Sequence, residues 1–241
     1  MHLIPSARMI VKTFSYSSLD TLHVLTTLRI HSKTKPRLCG NRLHCLIKTA
    51  RLSSLTYLDL RGAECRRFDI LASLPHLEIL DITHLGLSND FPPKTSLPTL
   101  PSLRALRLHG FTSIREFPDV LPPLPALIEL CFSFAGGSTR PQVGLVDMIA
   151  RTCPRLCHLS LAYFEWITVS DLRHVIQTLP LVTHVGILSK NRAFTTSELR
   201  TALDGFSGRT STIVTDEILD SLICRPPTIS HPTLFPTLFV E

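Results

Sequence analysis

The chain has 241 residues, 44% hydrophobic and 18% charged, with a formal net charge of +6. That apolar content supplies a sizeable core for one to two ordinary domains. The charge is lopsided, with 12 Lys/Arg against 3 Asp/Glu in residues 1–67 and 13 against 16 in residues 68–241; no aromatic interleaving or nucleic-acid motif accompanies the basic end, which reads as solvated surface rather than a nucleic-acid interface.

In chain order, residues 1–19 read as an N-terminal extension, and their opening "MHLIPSARMIV" lacks the apolar run of a signal peptide. A short apolar phrase follows at Leu25-Leu28-Ile30, then a helical candidate over 41–51, then the same phrase at Leu55-Leu58-Leu60. Beyond a second helical candidate at 68–74 the phrase acquires a proline and reads "LPHLEILDI" (74–82). It returns as "LPSLRALRL" (100–108), "LPALIELCF" (124–132), "CPRLCHLSL" (153–161) and "LPLVTHVGI" (179–187). Its prolines, Pro75, Pro101, Pro125, Pro154 and Pro180, are spaced 26, 24, 29 and 26 residues apart. The intervening 91–101 and 117–125 are too proline-rich for regular helix, whereas 143–151 has a helical pattern. "TVSDLRHVIQTL" (168–179) and "TTSELRTALDGF" (195–206) align without a gap, and each starts with capping-box spacing, Thr168 with Asp171 and Thr195 with Glu198. A last helical candidate covers 216–224, and Pro236-Thr237-Leu238 opens a further phrase two periods after Pro180, so the final repeat is expected to be incomplete.

The spacing dictates the architecture. The last two apolar positions of each phrase differ by two, so they share one face of a strand while the residue between them faces the other way. One short strand cannot bury such a face alone. Parallel stacking of successive copies builds a continuous core, which predicts an α/β solenoid, with helices or irregular turns linking the strands. The proline sits just before the strand, where it ends a preceding helix and costs no ladder hydrogen bond.

This period and phrase resemble leucine-rich repeats of the ribonuclease-inhibitor-like class. "CPRLCHLSL" is similar to the Cys-Pro-x-Leu-x-x-Leu-x-Leu phrase of the repeats in F-box proteins, and the proline-rich style with "TDEILDSL" (215–222) resembles fungal F-box-like proteins. The resemblance implies a horseshoe over residues 20–241, with about eight to nine repeats, parallel strands on its concave face and helices or irregular turns on its convex face. It further implies a non-catalytic protein-interaction scaffold, the substrate-recognition region of a ubiquitin-ligase receptor. In that family the F-box docks the Skp adaptor of a cullin-type ligase. Residues 1–24 carry no Leu-Pro-x-Glu-like opening, so Skp–cullin subunits are expected partners only if an F-box lies elsewhere in the full-length protein. The alternatives are a stand-alone intracellular leucine-rich-repeat regulator and a truncated paralogue without function.

Motifs for chemistry are sparse. No phosphate-binding glycine loop, dinucleotide fingerprint, His-Glu-x-x-His or Gly-x-Ser-x-Gly occurs, so no enzyme activity and no cofactor is expected. Cys153, Cys157 and His158 lack the second ligand pair of a zinc site, and no metal is expected. Seven cysteines, an odd number, and no Asn-x-Ser/Thr acceptor point to free thiols in the cytoplasm or nucleus. The uncharged run 174–189 is interrupted by Pro180 and too short to span a bilayer, so no membrane contact is expected. Trp166, in a loop, reads as a packing residue.

The outward strand positions form three expected columns. One reads Arg29, Asp59, Asp81, Arg107, Cys131, Ser160, Gly186. The second reads Thr27, Tyr57, Ile79, Ala105, Glu129, His158, His184, and the third His31, Arg61, Thr83, His109, Ser133, Ala162, Leu188. Mixed charge with an aromatic ring suits a protein or peptide partner, and Arg29, Tyr57, Asp59, Asp81, Arg107, His109, Glu129 and His158 are the expected contact residues on the concave face.

Overall fold

The computed structural model describes residues 9–10, 25–31, 52–61, 68–83, 97–111, 121–138, 144–164, 168–188, 197, 212–214 and 237–240. The helical candidates 41–51 and 216–224, all of 195–206 except the helical Ser197, residues 91–96 and 117–120 of the two proline-rich stretches, and Trp166 lie outside them. Ten strands form one sheet: β1 (Met9–Ile10), β2 (Thr27–His31), β3 (Tyr57–Arg61), β4 (Ile79–Thr83), β5 (Ala105–Phe111), β6 (Glu129–Ser138), β7 (His158–Phe164), β8 (His184–Leu188), β9 (Thr212–Val214) and β10 (Thr237–Val240). Every pairing is parallel. Seven strands, β2 to β8, lie side by side in chain order. With two short α-helices among the described residues, α1 (Leu145–Thr152) and α2 (Val169–Thr178), the arrangement is α/β and compatible with a solenoid.

The repeated phrase explains the local geometry. In Leu-Pro-x-Leu the fourth amide donates to the first carbonyl. Leu77 reaches Leu74 at 3.2 Å, and Leu103–Leu100, Leu127–Leu124, Leu156–Cys153 and Val182–Leu179 each close at 3.1 Å. Proline thus holds the second position of a turn, where its fixed φ is already correct and its missing N–H is not needed. After α1 and α2 it also follows a helix end, as expected; at all five sites it shapes the turn into the strand.

Each turn then aims two successive amides at one carbonyl of the preceding coil. Glu78 and Ile79 donate to Thr56 (2.8 and 2.9 Å), Arg104 and Ala105 to Glu78 (2.7 and 3.0 Å), and Cys157 and His158 to Ile128 (both 2.9 Å). This shared acceptor fixes strand register at its entry, so equivalent residues of successive phrases become direct neighbours. Leu28, Leu58, Leu80, Leu106, Leu130, Leu159 and Val185 form one such row, all buried. They belong to a single core with the phrase leucines Leu25, Leu55, Leu77, Leu103, Leu127 and Leu156. Full burial of each such side chain contributes about 1.5–3 kcal/mol.

The connections follow the pattern with two differences. The segment Phe68–Ser73, expected to be helical, is a 3-10 turn rather than an α-helix; its three-residue repeat puts Phe68 and Leu71 on one side, where both are fully buried with Ile70 beside them. Helix α2 has the expected capping box. The Thr168 hydroxyl accepts the Asp171 amide at 3.2 Å, and the Asp171 carboxylate accepts the Thr168 amide at 2.8 Å. Its Leu172, Val175 and Ile176, with Leu145, Met148 and Ile149 of α1, join the leucine core. Across the helix pair, His174 Nε2 lies 3.1 Å from Asp147 Oδ1.

The second difference concerns the last phrase. It does form a strand, but β10 lies between β1 and β2 instead of extending the stack beyond β9. Leu238 falls in register with Leu28, and Val240 with Ile30, so the apolar alternation continues across the junction. The physical reason is that the β2 edge offers unpaired backbone groups that a strand of the same alternation can satisfy. The expected N-terminal extension contributes β1, paired to the far side of β10.

Candidate functional site

The face opposite the leucine core carries the non-repeating residues, and register sorts them into three rows. The central row runs Arg29, Asp59, Asp81, Arg107, Cys131, Ser160, Gly186. Beside it run Thr27, Tyr57, Ile79, Ala105, Glu129, His158, His184, and, on the other side, His31, Arg61, Thr83, His109, Ser133, Ala162, Leu188. All eight residues singled out from the sequence therefore share one face.

Their exposure differs from the expectation of a solvated surface. Asp59 and Asp81 are each 1% exposed, Arg107 and His109 each 5%, and Tyr57 is buried as well. Arg29, Glu129 and His158 are half-buried. Side chains in register on strands about 4.8 Å apart shield one another, and Tyr57, Ile79 and Ala105 add a small apolar cluster of their own on this face. Arg29, Glu129 and His158 thus keep part of their surface open on this face. Asp59, Asp81, Arg107, His109 and Tyr57 lie beneath.

The buried charges are organised around Arg107. Its Nη2 is 2.6 Å and its Nε 2.8 Å from Oε1 of Glu129 on the next strand. Burial pulls the guanidinium's affinity for its proton down, but the Glu129 charge and hydrogen bond, with Asp81, outweigh that and leave its pKa raised. Tyr57 donates its hydroxyl to Asp59 Oδ2 at 3.4 Å, and the Arg29 guanidinium carbon sits 5.0 Å from the centre of the Tyr57 ring. The in-register carboxylates Asp59 and Asp81 are thus flanked by Arg29 on one side and Arg107 on the other.

Beyond Glu129 the same face turns from carboxylate to imidazole. The rings of His158 and His184 meet edge to face with centroids 4.5 Å apart and planes inclined by 68°. His184 is exposed and His158 half-buried. Burial, then the neighbouring His184, lower the His158 pKa, against an opposing pull from Glu129. His184 stands in the second row but was not among the eight contact residues; adjacency to His158 at the same phrase position was the available signal.

The thiols behave as packing groups. Burial pushes Cys131 up to about 12, opposed by Arg107 and reinforced by Glu129 and Asp81, and pushes Cys153 up to about 11, opposed by its Thr152 hydrogen bond. Both are protonated at neutral pH and poor nucleophiles. Cys131, Cys153 and Cys157 form no disulfide. Among the described residues, no three His, Cys, Asp or Glu side chains gather as metal ligands, and no helix is long and apolar enough to cross a membrane.

No protein-family model, curated protein or solved structure matches the chain.

Proposed function

We propose that the chain is a leucine-rich-repeat solenoid acting as a non-catalytic protein-recognition scaffold in the cytoplasm or nucleus, of the kind that presents substrates to an F-box-type ubiquitin ligase. One observation carries the recognition reading. Non-repeating polar side chains stand in register along the face opposite the leucine core, while the apolar positions repeat with little variation. The repeating positions hold the stack together, and the variable ones are left for a partner. The ligase connection rests on the similarity of "CPRLCHLSL" to the repeats of F-box proteins.

Among the described residues, the Glu129–His158–His184 end is an accessible part of the face, with Ser160 and Thr183 beside it. A photo-crosslinking residue at position 184, compared with one at exposed Arg173 on α2, tests the reading in cells. The expected result is a defined protein adduct from position 184 and none from 173, with the captured protein stabilised when the proteasome is inhibited. Adducts of the same pattern from both positions refute recognition by the strand face. A specific adduct whose abundance ignores the proteasome refutes the ligase role alone.

A further inference from the structure

We propose that His158 and His184 form a two-imidazole chelate for a late divalent transition metal of the Ni2+, Cu2+ or Zn2+ class, on the exposed end of the sheet face. This goes beyond protein recognition and stands or falls without it. The first observation is placement. The two histidines are direct in-register neighbours on β7 and β8, at the same position of consecutive phrases. Their side chains leave the sheet on the same face, and one is exposed while the other is half-buried.

The second observation is the ring separation. An imidazole nitrogen binds these metals at about 2.0–2.1 Å, so two imidazoles in adjacent coordination positions hold their centroids roughly 4.5–5 Å apart. The centroids here are 4.5 Å apart. A shared ion requires the ring planes, inclined by 68°, to turn until one nitrogen of each points to it.

The third observation is a hydroxyl beside His184. The Thr183 hydroxyl donates to the Cys157 carbonyl at 3.4 Å and lies 2.9 Å from Nδ1 of His184, a contact in which either group can donate. In the tautomer whose Nδ1–H donates to Thr183, Nε2 carries the free lone pair. A hydrogen bond on the distal nitrogen is the usual means of orienting a metal-binding imidazole. On the other side of His158, both Arg107 contacts to Glu129 go to Oε1. Water or a carboxylate brought by a ligand would complete the coordination.

The test is titration of the full chain with Ni2+ alone by calorimetry at pH 7.5, with imidazole-nitrogen NMR on the unsubstituted protein. The expected outcome is one ion per chain at this site, with paramagnetic broadening greatest at His158 and His184. His158→Gln and His184→Gln should each weaken binding by more than about tenfold, and Thr183→Val, which removes only the orienting hydroxyl, by about tenfold. His76→Gln, at an exposed turn, should change nothing. An isotherm unaffected by either glutamine, loss in only one of the two, or broadening centred on other histidines overturns the proposal. The NMR result decides even if a variant fails to fold.

Discussion

Arg107 is the residue whose removal tests the energetic account most sharply. It is 5% exposed, bonds Glu129 through two nitrogens at 2.6 and 2.8 Å, and offsets the charge of Asp81 on the adjacent strand, itself 1% exposed. Arg107→Met keeps most of the apolar stem but removes the cation that Glu129 bonds and that offsets the charge of Asp81. Breaking a buried pair from one side costs about 3–5 kcal/mol. Glu129→Gln should cost about 1–2 kcal/mol, because the amide oxygen still accepts from Arg107, which retains Asp81 as a counter-charge. With a urea m-value of about 3 kcal/mol per M, the first change lowers the midpoint by roughly 1–1.7 M and the second by less than about 0.7 M. Asp81→Asn, added to Arg107→Met, should recover part of the loss by removing a buried carboxylate whose charge Arg107 had offset. Equilibrium urea unfolding followed by circular dichroism measures all four proteins. Equal midpoints for Arg107→Met and Glu129→Gln, or no recovery from Asp81→Asn, would show that the row is not electrostatically coupled as described.

Three further outcomes follow from the same structure. Pro154→Ala should lower stability by about 0.4–1 kcal/mol, because proline already has the turn's φ and the substitution chiefly frees the unfolded chain; a larger effect in thermal unfolding would mean that the ring's contacts matter more than its φ. Thr168→Ala removes the hydroxyl that caps α2 and should cost about 1 kcal/mol, whereas Thr168→Ser should be close to neutral; equal losses for both would contradict the capping role. His158 has a lowered pKa when folded, so the unfolded chain takes up its proton first. Its contribution to stability is complete above the ordinary histidine range near about 6.5 and is lost as pH falls below it. Unfolding midpoints compared at pH 7.5 and 5.5 should therefore fall less in His158→Gln than in the unsubstituted chain, and identical pH dependence would refute the assignment.

Much of the backbone was legible before any coordinates. The phrase Leu-x-x-Leu-x-Leu places Leu106 and Leu108 on one side of a strand and Arg107 on the other, and the strands formed where it predicted. The capping box of Thr168 and Asp171 was readable because it depends on residues three apart. The 3-10 form of Phe68–Ser73 was not, since its six residues carry the apolar content of a helix, and only burial of Phe68 and Leu71, three apart, against the core selects the tighter turn. Of the contact residues, the shared face was predictable, and the Arg107–Glu129 pair followed only once β5 and β6 were in register with Glu129 reaching sideways into the adjacent row.

The sequence by itself determined which residues enter strands, which side of each strand they take, and where the chain turns. Those properties come from a period of two, from proline's φ and from contacts only a few residues long. Tertiary structure alone decided three others: that Asp59, Asp81, Arg107 and His109 are buried on the face where solvent was expected, that Thr237–Val240 joins the sheet beside β2, and that His158 and His184 bring their rings together. Each depends on groups separated by twenty or more residues, which the phrase aligns in register but whose packing and solvent exclusion are set by side chains that do not repeat.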